Sequence, residues 1–135
     1  MKAIQYPRTL GVALIGAALT CAATVALADI KNYEFRLVEP TVKAGPDKTI
    51  AVKLVDKTTG KPVPDAVIFA TRLDMAPDGM QEMATRVDPL PGTEPGTYKF
   101  KATFGMAGRW QLSLGAKVQG EIGTVENKLV IQADQ

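Results

Sequence analysis

Four methionines downstream of the N-terminal segment are the residues best suited to coordination chemistry: Met75, Met80, Met83 and Met106. Three of them fall within nine residues, in Asp74-Met75-Ala76-Pro77-Asp78-Gly79-Met80-Gln81-Glu82-Met83. A thioether sulfur is a soft, uncharged donor that selects Cu(I) over harder ions. Unlike a thiol, it forms no disulfide in an oxidising compartment. Met106 stands four residues before Trp110. An indole face beside thioether-bound Cu(I) would add a cation–π contact and shield the ion from oxidant. A turn-borne Met75, Met80 and Met83 meeting Met106 at one end of a domain would supply three or four sulfur donors. The same residues also have a packing reading. Methionine is a flexible core filler, Met83 shares strand parity with Val87, and Trp110 lies on the apolar face of its strand. Spacing alone leaves both readings open.

Other chemistries are poorly provided for. The chain has 135 residues and no histidine, so no Ser-His-Asp or Cys-His nucleophile system and no His-ligated zinc or haem can be built. This composition points away from an enzyme. Asp74, Asp78 and Glu82 are spaced by four, but Pro77-Asp78-Gly79 forbids a helix there. They lack a calcium-loop pattern, and turn chemistry with solvation accounts for them. Lys99 and Lys101 read as a solvated strand face or as edge protection.

Residues 1–28 read as a secretory signal peptide. Lys2 and Arg8 precede an uncharged, largely apolar stretch over 10–27, and Ala26-Leu27-Ala28 supplies the small-x-small cleavage pattern before Asp29. A membrane-spanning helix is the competing reading. Cleavage is favoured by the abrupt polarity of Asp29-Ile30-Lys31 and the lack of a basic stop. Lipidation at Cys21 is disfavoured by Ala18-Leu19-Thr20 before it. Cleavage after Ala28 removes Lys2, Arg8 and the single cysteine. The remaining domain, 29–135, then has fourteen basic and fourteen acidic residues. A neutral domain is a poor partner for nucleic acid, and with no thiol its core must hold the fold unaided.

The elements that must position the methionines read as strands. Over 97–104, Tyr98, Phe100, Ala102 and Phe104 alternate with Thr97, Lys99, Lys101 and Thr103. Over 109–119, Trp110, Leu112, Leu114, Ala116 and Val118 alternate with polar residues. Such alternation describes half-buried antiparallel strands. The glycines of Phe104-Gly105-Met106-Ala107-Gly108-Arg109 suggest a hairpin joining them. Further strands are expected over 33–38, 49–56, 66–73, 83–87 and 126–132, with a proline-rich loop over 88–96. About seven short strands with regular turn signals indicate one all-β sandwich domain.

Specific stretches resemble the FixH/YtkA-like domains of bacterial exported proteins. They are Pro62-Val63-Pro64-Asp65-Ala66, Leu73-Asp74-Met75 with Asp78-Gly79-Met80, Pro95-Gly96-Thr97-Tyr98, and Met106-Ala107-Gly108-Arg109-Trp110. The resemblance covers most of 34–131. It implies an immunoglobulin-like antiparallel β-sandwich in the periplasm or anchored to the inner membrane, and an association with copper around cytochrome oxidase assembly or heavy-metal efflux adaptors. Carried over, the matching positions for metal ligands are Met75, Met80, Met83 and Met106. The cleaved leader departs from the membrane anchor usual in oxidase assembly and favours the efflux or copper-carrier branch. The expected function is therefore a periplasmic Cu(I)-binding or copper-delivery accessory, not an enzyme. The alternative is a structural module that docks on an efflux adaptor or an oxidase-assembly partner through an exposed edge strand, without binding metal.

Overall fold

The structure, a computed structural model, describes residues 30–92 and 94–135. The expected leader, with Cys21 in it, lies outside the described residues. Nine strands form two facing sheets among the described residues. One sheet holds β1 (Tyr33–Leu37), β3 (Gly45–Asp56), β7 (Thr97–Phe104) and β6 (Val87–Leu90) in the order β1-β3-β7-β6, all antiparallel. The other holds β2 (Thr41–Lys43), β9 (Val125–Asp134), β8 (Gly108–Lys117), β4 (Val67–Met75) and β5 (Met80–Thr85), in the order β2-β9-β8-β4-β5. Its pairs are antiparallel except β2 with β9, which is parallel. Four strands in A-B-E-D order thus face a sheet with G-F-C at its centre, extended by β2 and β5. That arrangement is an immunoglobulin-like β-sandwich. Among the described residues no helix is long and apolar enough to cross a membrane.

The period-2 pattern builds the interior directly. Ile50, Val52 and Leu54 of β3 and Phe100, Ala102 and Phe104 of β7 are buried from one side. Trp110, Leu112, Leu114 and Ala116 of β8, with Ile131 and Ala133 of β9, meet them from the other. Tyr98 pins the approach to β4, because its hydroxyl donates to the Val63 carbonyl and accepts from the Ala66 N–H, each at 3.0 Å.

Four expectations need correction. First, the strands at 97–104 and 108–117 exist, but they do not form a hairpin. β7 already lies between β3 and β6, and β8 between β9 and β4, so neither has a free side for the other. The segment 105–107 instead crosses between the sheets. Second, nine strands replace about seven: β2 lies beyond the segment expected over 33–38, where the chain has changed sheet, and the segment expected over 83–87 spans the end of β5 and the start of β6, which divide at Arg86 for the same reason. Third, Asp88, Pro89 and Leu90 are in a strand rather than a loop. Pro89 is opposite Phe100 on edge strand β6, a position where the missing N–H is harmless. Fourth, β4 runs on to Met75, so that methionine is a strand residue and not turn-borne.

Candidate metal centre

The methionine loop begins where β4 ends. Met75 is 1% exposed and belongs to the core. Ala76–Asp78 then make one turn of 3-10 helix with Pro77 at its start, where a missing N–H costs nothing. Gly79 closes it in the left-handed region, φ 75°, with its N–H donating to the Ala76 carbonyl at 2.9 Å. Asp74, 4% exposed, braces the entry. One of its oxygens accepts the Ala76 N–H at 3.0 Å and the other accepts Arg72 Nε at 2.6 Å. Arg72 also donates through Nη2 to the Gln81 carbonyl at 3.0 Å, tying entry to exit.

Asp78 then fastens the turn to the start of β8. Its Oδ2 accepts the Arg109 backbone N–H and its Oδ1 accepts Arg109 Nε, both at 2.8 Å. Arg109 Nη2 reaches back to the Pro77 carbonyl at 2.9 Å. Gly108 leaves room for this approach: a Cβ there would lie 2.5 Å from the Met75 methyl and 2.8 Å from Asp78 Oδ2. The methionine loop and the segment carrying Met106 therefore meet at one end of the sandwich. Asp78 and Arg109 are 31 residues apart, and neither residue type announces its partner in the sequence. The aspartate of the Pro77-Asp78-Gly79 turn was the one visible signal.

Arg109's N–H, and then its guanidinium, hold the Asp78 carboxyl below the ordinary 3.8. A carboxyl lowered in the folded state stabilises the fold above its unfolded value and loses that contribution as pH falls through the lowered one. Urea unfolding followed from about pH 5 to about pH 2.5 is expected to show a shallower stability loss in Asp78→Asn than in the wild type. Asp56, held low by Thr58, contributes equally to both proteins. Superimposable slopes would contradict the clasp.

The four candidate donors differ in surroundings. Met80 is cross-strand to Met75 and packs half-buried against the core. Met83, on edge strand β5, is 39% exposed, and Met106 is 41% exposed. Met106 borders a shallow depression with Ala44, Gly45, Pro46 and Phe104, into which no other methionine reaches. Trp110 is 2% exposed and stands edge-on to Phe104, with ring centroids 5.5 Å apart. Its Nε1–H donates to the Met106 carbonyl at 3.1 Å. The indole therefore fixes the backbone that carries Met106 and has no open face at the surface. Among the described residues no three His, Cys, Asp or Glu side chains come together.

The family profile for YtkA-like domains matches residues 27–115. The chain belongs to the YtkA-like family. The match spans the sandwich from its first strand into β8 and includes the loop and crossing just described. No curated protein matches the chain. Among solved structures, the filamin domain of Lin-41 is similar at 18% identity, over 76% of this chain and 92% of that one, with a TM-score of 0.46. The ZirS C-terminal domain is similar at 15% identity, over 100% and 80%, also with a TM-score of 0.46.

Proposed function

We propose that this YtkA-like domain is an exported, periplasmic accessory of copper handling, acting in metal efflux or cytochrome oxidase assembly. It takes up Cu(I) through thioethers at its methionine-bearing end. One observation supports this reading above the others: the Asp78–Arg109 clasp brings the Met75–Met80 turn against the start of β8, three residues from Met106. The donors are Met80, Met83 and Met106, which reach solvent in whole or part, whereas Met75 serves the core. Separately exposed sulfurs suit an ion that is passed on, since a carrier must release what it binds.

Methyl resonances of methionine distinguish these roles. With methyl-13C-methionine protein and Cu(I) in an anaerobic thioether-free buffer, the signals of Met80, Met83 and Met106 are expected to move while that of Met75 stays. Unmoved methyl signals at one equivalent of Cu(I) would defeat the reading. The second reading, a docking module without metal, is favoured by β4, which pairs with β5 only at Leu73, Asp74 and Met75 and leaves the rest of that side without a ladder partner among the described residues. It requires Met80→Leu/Met106→Leu to leave partner capture intact.

A further inference from the structure

We infer that the outer edge of β4 receives an extended segment of a partner polypeptide as an added strand. The inference does not rest on the metal reading. β4 pairs with β8 from Val67 to Asp74 but with β5 only at Leu73, Asp74 and Met75. Among the described residues, 67–72 therefore has no ladder partner on its other side. The cause is the change of sheet at Arg86: β5 leaves β4, and the chain continues as β6 beside β7 in the opposite sheet. The sandwich is left open along this side.

Burial shows the opening. Thr71 is cross-strand to Leu114 and so shares its inward face; Leu114 is buried, yet Thr71 is exposed. The groove between the sheets is lined by Ile68, Phe69, Leu90, Tyr98 and Phe100. Phe69 in this lining is 57% exposed, and Val67, two residues earlier on the same edge, is 60% exposed. Natural edges are normally blunted with charge, proline or brevity. The other edges here follow that rule, with Glu34 and Arg36 on β1, Lys43 on the three-residue β2, Glu82 on β5, and Asp88 and Pro89 on β6. Val67-Ile68-Phe69-Ala70-Thr71 carries neither a charge nor a proline; its one irregularity is the register shift between Ile68 and Ala70, and the charge of Arg72 beyond it is drawn to Asp74 and the Gln81 carbonyl.

The chemistry of this edge selects its occupant. A row of main-chain donors and acceptors is matched by another extended main chain, and alternate side chains of that strand then drop into the apolar groove. Among the residues lining the groove, the exposed Asp65 and Glu94 carboxylates outnumber the ammonium of Lys99. The occupant therefore has alternating aliphatic residues and a basic residue lying beside Asp65. A second copy fits less well: in an antiparallel edge-to-edge pair, its own β5 would be carried onto Pro64 and Asp65.

The test uses the full chain without copper and a fluorescein-labelled Lys-Val-Thr-Val-Thr-Val peptide, followed by anisotropy up to about 1 mM. Binding is expected, with a loss of at least about tenfold on N-methylation of the central valines or on Phe69→Lys, whose exposed site leaves the circular dichroism unchanged. Met80→Leu/Met106→Leu is expected to bind the peptide as the wild type does, so this inference and the copper reading fail separately. No binding, or binding indifferent to N-methylation, overturns it. So does a wild-type dimer in sedimentation that Phe69→Lys dissociates, since a second copy would then be the occupant.

Discussion

Trp110→Ala is expected to lower the stability of the domain by about 3–5 kcal/mol, the largest loss of any single substitution considered. The side chain is almost wholly buried, meets Phe104 edge-on across the two sheets, and donates to the Met106 carbonyl. Truncation removes the apolar burial, leaves a cavity and frees the crossing at once. Domains of this size are stable by only about 5–15 kcal/mol, so the variant approaches the limit of folding. The urea midpoint should fall by at least about 1 M. Trp110→Phe keeps a ring but not the donor, and is expected to cost about 1–3 kcal/mol. A midpoint for Trp110→Ala within about 0.3 M of wild type would mean that the indole does not join the sheets. This hydrogen bond from the start of β8 back to the crossing occupies the place of the tyrosine corner in other immunoglobulin-like domains.

Met75 carries the second large effect, and it separates core from ligand. Met75→Ala is expected to cost about 2–5 kcal/mol through the cavity it leaves beside Gly108. Met75→Leu conserves volume and is expected to cost less than about 1.5 kcal/mol, with Cu(I) affinity unchanged. Chemical denaturation and a Cu(I) titration on the same sample read both quantities. A Met75→Leu protein that keeps its stability but loses Cu(I) affinity would make this sulfur a ligand and overturn its assignment to packing.

The strands were legible where alternation is clean. The pattern of Tyr98, Phe100, Ala102 and Phe104 marks β7 from end to end. Trp110, Leu112, Leu114 and Ala116 mark β8 with only its ends displaced. Alternation tells which face of a strand is buried but not which strand lies beside it. The crossing at 105–107 therefore read as a hairpin, although Phe104 and Trp110 approach each other from opposite sheets. Pro89 argued for a loop because the sequence does not reveal that β6 has a neighbour on one side only. At the candidate site the same limit holds. The four methionines and the turn are visible, whereas the Asp78–Arg109 clasp depends on two distant segments docking. Met75 and Met80 look alike in sequence, and only the end point of β4 sends the first of them into the core.

Competition for Cu(I) against a chromophoric chelator, comparing wild type with Met80→Leu/Met106→Leu, tests the central claim most directly. Both substitutions preserve side-chain volume, so the fold is retained while two sulfurs are lost. The account predicts that the wild type withdraws one equivalent of Cu(I) from the chelator and that the double variant binds at least about tenfold more weakly, about 1.4 kcal/mol. A wild type that withdraws no Cu(I), or a double variant that competes equally well, would contradict it.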